Sequence, residues 1–254
     1  DNVVTSQGGT ITVNADHDIT GAATGDISSG GGAIGITADE NSAGSGGTIR
    51  LGGNIAAGAG TVTFSLEDCD GYVGATVGGA DGMVTAANIV MGIDARSPEG
   101  VLRLNAGAGA ADDSEFSGTT TVVEGTLIVN GILTDSAGGT GADVVVQSGG
   151  VLGGGNGTIA GTINADISVQ SGGILDPGDT SGGCTPLPGQ LTVNGDLTMV
   201  IGSTLRVQLN GLTAGSQYDQ LVLNMTGDTL DIGGGDFGNP NAGANLDVTA
   251  GYAM

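Results

Sequence analysis

Two short acidic runs are where this sequence could do chemistry. Glu67, Asp68 and Asp70 surround Cys69, and Asp112, Asp113 and Glu115 crowd a second stretch, residues 106–117, made mostly of small residues. Clustered carboxylates supply the hard oxygen ligands that Ca²⁺ takes, so calcium is the ion these six residues would hold. The same acids also read as solvated loop residues, because the chain carries a net charge of −23. His17, between Asp16 and Asp18, is the sole histidine. No nucleophile elbow accompanies it, and one histidine with two distant cysteines does not make a zinc site, so no triad and no zinc centre is expected.

The cations are as few as the acids are many. The four basic residues are all arginine (Arg50, Arg96, Arg103 and Arg206), against 27 acidic ones. Nucleic acid and anionic membrane surfaces need a cationic footprint that this chain lacks, so neither is an expected partner. No apolar run is long enough to cross a membrane as a helix. The chain starts at Asp1 without a charged, apolar leader, which fits a removed signal or a piece of something longer.

The elements that must position these residues are strands. Ala142 to Leu152 and Ala165 to Leu175 can be laid over each other: both begin Ala-Asp, run through a β-branched stretch, and end in Gln-Ser-Gly-Gly followed by Val-Leu or Ile-Leu. The second copy starts 23 residues after the first. A fixed period of this size is the mark of a stacked solenoid, because one such unit cannot bury its own apolar face. The composition agrees. With 54 glycines, 2% aromatic residues and no Trp, the interior has to be narrow and filled with Val, Ile, Leu, Ala and Thr. The expected fold is all-β, a parallel β-helix with about 20–25 residues per coil and extruded loops. At about 4.8 Å per coil, Cys69 and Cys184 would stand about 24 Å apart, so a bridge within the chain would need long loops that fold back, and pairing between subunits stays open.

In order, residues 1–66 read as Gly-rich early coils, with strands around Ile11, Ile36, Ile49 and Val62. Residues 67–118 read as irregular coils with acidic loops, including a turn at Arg96-Ser97-Pro98-Glu99-Gly100. Residues 119–254 carry the strongest pattern. Leu191, Val193, Leu197, Met199, Ile201, Leu205, Val207 and Leu209 share one parity and face inward, Arg206 faces out, and residues 176–188 form a longer loop that bears Cys184.

Several motifs in residues 117–235 follow one another in a familiar order. These are Thr119 to Gly131 with its Gly125-Thr126-Leu127-Ile128-Val129-Asn130-Gly131 end, the Ser-Gly-Gly turns, Gly157-Thr158-Ile159-Ala160-Gly161, Asp176-Pro177-Gly178, Leu191-Thr192-Val193-Asn194-Gly195 and Tyr218-Asp219-Gln220-Leu221. This order closely resembles the autotransporter-associated β-strand repeat, found in passenger regions of bacterial autotransporters and other large surface proteins. Residues 8–66, notably Gly47-Thr48-Ile49-Arg50-Leu51-Gly52-Gly53-Asn54-Ile55, are similar to the coils of filamentous-haemagglutinin-type adhesins. Both resemblances imply a right-handed helix that is secreted, extracellular or on the bacterial cell surface, and acts as stalk, adhesin or scaffold. No stretch after Gly234 resembles a membrane barrel, and the family carries no fixed catalytic set to transfer. Gly233 to Gly238 is faintly similar to a calcium-binding nonapeptide, in one copy and out of register.

The function expected from all this is non-enzymatic: a structural or adhesive solenoid, a stalk or fibre-forming subunit, with partners in an end-to-end second copy, in neighbouring repeats of a longer chain, or in a surface glycan. No cofactor is required, with Ca²⁺ as the candidate ion. The alternative is a carbohydrate-binding or polysaccharide-cleaving β-helix. A lyase would need a base such as Arg96 or Arg103 beside the acid runs, and a glycosidase two carboxylates at the right separation.

Overall fold

The duplicated run sets the register. In the computed structural model Val144–Val146 pairs in parallel with Ile167–Val169, Val144 opposite Ile167, and Val151 lies opposite Ile174, so the 23-residue offset of the sequence is one turn of the chain. The structure describes residues 3–38, 47–67, 71–74, 82–92, 100–105, 113–138, 143–181, 185–224, 227–233 and 243–250. Among them there is no helix, and three parallel sheets of nine strands each run side by side through the molecule.

Each coil contributes one strand to each sheet. The first coil supplies Val4–Thr5, Ile11–Ala15 and Ile19–Gly21 to the first, second and third sheets, and the ninth supplies Gln220–Leu223, Leu230–Asp231 and Asn245–Ala250. The architecture is a right-handed parallel β-helix. The sheets pass through residues 1–66, 67–118 and 119–254 alike.

Stacking is what makes the coils stable. In the seventh coil Ile163, Ile167, Val169 and Leu175 point inward and are at most 1% exposed. Burial of such side chains is worth about 1.5–3 kcal/mol each, far less than the cost of ordering a whole coil at about 1–2 kcal/mol per residue. Neighbouring coils supply the backbone pairing and the second apolar surface. One inward column of the second sheet runs Ile11, Ile34, Val62, Ile89, Thr120, Val144, Ile167, Leu197 and Leu230. The interior is as narrow as composition requires: β-branched and Leu side chains, with Phe64 and Phe116 as its buried aromatics.

Three local expectations are corrected. Residues 106–117 do not form one loop, because Ser114–Phe116 is a strand of the first sheet, and Phe116, fully buried, draws it in. Residues 176–188 contain an antiparallel hairpin, Gly178–Ser181 paired with Thr185–Pro188. Ile201 and Leu209 do not follow the inward parity of Leu197 and Met199. Leu209 is 39% exposed while its neighbour Gln208 is buried in its stead, and Ile201 is 54% exposed, because the chain turns there and the Ser203 N–H donates to the Val200 carbonyl at 3.0 Å. Arg206 faces outward as expected, pairing with Asp176 at 3.1 Å.

The Ser-Gly-Gly signature is a recurrent turn. Gly149, Gly172 and Gly202 hold the same place in three successive coils with φ of 95°, 80° and 85°. A Cβ on Gly172 would also stand 2.5 Å from Ser148 Oγ of the coil below. Gly172→Ala is therefore expected to cost about 1–2 kcal/mol from the left-handed backbone alone, with the contact adding to it. Denaturant unfolding checks this, and an unchanged midpoint would refute the turn geometry.

Candidate functional site

The acidic runs of the sequence are not brought together. Glu67 is half-buried just after Thr61–Ser65 in the third coil, whereas Asp113 and Glu115 lie two coils on, at the start of the first-sheet strand Ser114–Phe116. Asp113 Oδ2 accepts from the Thr134 hydroxyl at 3.2 Å. Asp68, Asp70 and Asp112 lie outside the described residues, as do Cys69, Cys184 and Arg96. Among the described residues no three His, Cys, Asp or Glu side chains are grouped so as to hold a metal ion. His17 is an exposed turn residue. Its neighbour Asp18 accepts from the Thr48 N–H at 3.0 Å and the Thr48 hydroxyl at 2.6 Å, which holds its carboxyl below the usual range.

The densest polar chemistry lies under the hairpin. At the corner after the third sheet, Asn105 and Asn130 occupy equivalent places in the fourth and fifth coils. Asn105 Nδ2 donates to the Gly74 carbonyl at 2.8 Å, and Asn130 Nδ2 lies 3.4 Å from Asn105 Oδ1. The column then meets Gly155, where the backbone of Gln190 stands in place of a side chain. Asp179, on the first hairpin strand, joins the column at Asn130: Oδ1 accepts from Arg103 Nε and Oδ2 from Asn130 Nδ2, both at 2.7 Å. The Arg103 and Asp179 side chains are 13% and 8% exposed.

A second carboxylate fastens the hairpin's other end. Asp219 accepts from the Gly189 N–H at 2.9 Å and the Gln208 N–H at 2.6 Å. Burial pushes its carboxyl up to about 6, with the nearby Asp176 charge adding to the shift against the two N–H bonds. Burial raises Asp176 as well, partly offset by Arg206, and raises Asp143, helped by Asp135. Asn130 Oδ1, Asp176 Oδ1 and Gln208 Nε2 are buried without a hydrogen-bond partner among the described residues. This cluster holds the chain in place: both oxygens of Asp179 and both of Asp219 are engaged in fastening the hairpin.

Two further surfaces complete the inventory. A shallow depression of about 80 Å³ lies between Gly157–Ala160 and Ala214–Gly215, well short of the roughly 300 Å³ at which ligand pockets begin. The second is in the ninth coil, where Leu230, Ile232, Leu246 and Val248 are 45%, 59%, 67% and 48% exposed and their counterparts one coil back are largely covered. Sequence reasoning missed the hairpin cluster because Asp179 meets Arg103 from 76 residues away, and no local spacing announces that contact. The one available signal was Asp176-Pro177-Gly178-Asp179 facing Pro186 and Pro188 across a Gly-rich tip.

Two outcomes follow for this cluster. Asp179→Ala leaves Arg103 buried without its carboxylate and should destabilise the fold by about 3–5 kcal/mol, while Arg103→Met with Asp179→Leu should recover most of that loss. Equal losses in both variants by denaturant unfolding would refute a buried pair. The second outcome concerns pH. A carboxyl raised in the folded chain binds its proton more tightly there, so its stabilisation is present below about 4 and lost as pH rises through about 6. Thermal stability should therefore rise between pH 7.5 and pH 5, and Asp219→Asn should flatten that rise; superimposable profiles would count against it.

Compared with known proteins, the chain matches no family model, no curated protein and no solved structure.

Proposed function

We propose that this chain is a non-enzymatic structural segment of a secreted or bacterial surface rod, a stalk or fibre unit whose output is length and stiffness. The observation that carries the reading is the continuity of the stack: all nine coils add a strand to all three sheets, and the apolar columns run on from the first coil to the ninth. A repeat of this kind gains stability from each neighbour and is extended by further coils, from continuing repeats or from a second copy. Autotransporter-type and haemagglutinin-type surface proteins enter here through the motif order alone. Calcium enters at the two acid runs, where Asp68, Asp70 and Asp112 would have to complete the sets begun by Glu67, Asp113 and Glu115.

One observation favours glycan binding as a second reading. Arg50 and Tyr72 stand in one outward column of the third sheet, a guanidinium beside an aromatic ring on successive coils. An acidic sugar fits such a pair through ring stacking and charge, although Asp18 already engages the arginine.

Negative-stain electron microscopy, with and without a calcium chelator, tests the structural reading together with incubation on acidic polysaccharides. Uniform rods, about 43 Å per nine coils or multiples of that length, and no new reducing ends are expected. Polysaccharide cleavage that a carboxylate variant abolishes would overturn the reading. Binding of uronate oligosaccharides that Tyr72→Ala weakens tenfold or more would establish glycan binding instead.

A further inference from the structure

We infer that Asn156 is an acceptor for N-linked glycosylation, and that Asn224, which opens the same Asn-x-Thr motif, is shielded from it. The rod reading neither requires this modification nor supports it. Two stretches carry the motif, Asn156-Gly157-Thr158 and Asn224-Met225-Thr226. The motif alone does not separate them; the surroundings of each side-chain amide do.

Asn156 stands in the turn that leaves the third sheet after Gly150–Gly154 in the sixth coil. Gly155 and Gly157 on either side take φ of 81° and 78°, and the Asn156 N–H donates to the Ile159 carbonyl at 3.0 Å, which closes the turn. The side chain is held through one atom. Its Oδ1 accepts from the Thr158 N–H at 3.1 Å and from the Ile159 N–H at 2.9 Å. Nδ2 has no partner among the described residues and is not a buried atom, so it is left to solvent. Gly157 and Thr158 are exposed, and both line the shallow depression beside Ala214 and Gly215, so the surface there is open to a transferase.

This arrangement suits an amide nitrogen that has to act as a nucleophile. Such a nitrogen is weak because its lone pair is shared with the carbonyl oxygen. As Nδ2 gives up a proton, negative charge builds on Oδ1, and two N–H donors already aimed at that oxygen stabilise it, as the donors of an oxyanion hole do. Nδ2 then attacks C1 of a sugar activated as a diphosphate ester. The N–C1 bond forms, the C1–O bond breaks, the diphosphate leaves with the bonding pair, and the amide proton passes to a base of the transferase.

Other asparagines lack one part of this set. Asn224 Nδ2 donates to Asn194 Oδ1, and Asn194 Nδ2 to Asn164 Oδ1 at 2.6 Å, so the amide of the second motif is locked into a ladder on the first sheet. Asn105 and Asn130 spend Nδ2 on the Gly74 carbonyl and on Asp179. Asn54 Oδ1 also accepts two N–H bonds, from Gly82 at 2.9 Å and Met83 at 3.1 Å, but Ala56 stands where the motif needs a hydroxyl. Asn156 combines a held oxygen, a free nitrogen and an exposed threonine two residues on. The held carbonyl also presents Cγ to the Gly157 nitrogen, whose attack would expel ammonia and, once water opened the imide, leave an acid at position 156. That is the competing fate.

Mass spectrometry separates the two. After denaturation trypsin cuts at Arg103 and Arg206, so residues 104–206 carry Asn156 and residues 207–254 carry Asn224. The folded full chain is first incubated with UDP-glucose and a soluble asparagine glycosyltransferase, and in a second arm with a lipid-diphosphate oligosaccharide and an oligosaccharyltransferase. The arm that succeeds names the donor. Residues 104–206 should gain the mass of that donor's sugar in at least one arm, while residues 207–254 gain none. Thr158→Ala should abolish the gain, Thr158→Ser should keep it, and Thr226→Ala should leave it unchanged. Because Thr158 is exposed, its variants should melt with the unaltered chain. No sugar in either arm, equal occupancy of residues 207–254, or only the mass shift of amide loss on residues 104–206 would overturn the inference. Each of these outcomes leaves the rod reading standing, since that reading falls to polysaccharide cleavage.

Discussion

The interaction on which everything else depends is the parallel backbone pairing between successive coils. It runs along the axis of the helix, so each residue is judged by the column it stands in, and its neighbours in sequence matter less. Val144 is buried because Thr120 lies below it and Ile167 above. The rule also decides where the chain may vary. The seventh and eighth coils are offset by 30 residues where the sixth and seventh are offset by 23, and the extra length leaves the stack at a corner, as the hairpin Gly178–Ser181 and Thr185–Pro188. Insertions are tolerated between strands and would break the pairing within them.

That hairpin is the exception the wall has to accommodate. It carries Asp179 onto the corner column, where the carboxylate meets a guanidinium from the fourth coil and an amide from the fifth. Burying the two charges costs solvation that their short, well-aligned contacts offset, and the outcome is more specificity than stability. Arg103 and Asn130 meet Asp179 together, and the pair of contacts fixes where the hairpin docks. Asp219 does the same for the returning strand with backbone N–H groups alone, and burial, which those two bonds offset only in part, is why its carboxyl holds its proton to so high a pH.

Legibility in the sequence followed the same division. The duplicated Ser-Gly-Gly units gave the register of the seventh coil on the sixth, because the information needed was local and repeated. Glu115 was placed in a loop because Ser114–Phe116 is three residues long, too short for alternation to register; only Phe116, fully buried, betrays a strand. Ile201 kept the right parity and still faced solvent, since parity says nothing once the chain turns at Val200. The hairpin cluster was invisible for a different reason. Its residues come from three separate stretches that the stacking brings together, and no spacing in one stretch encodes the others.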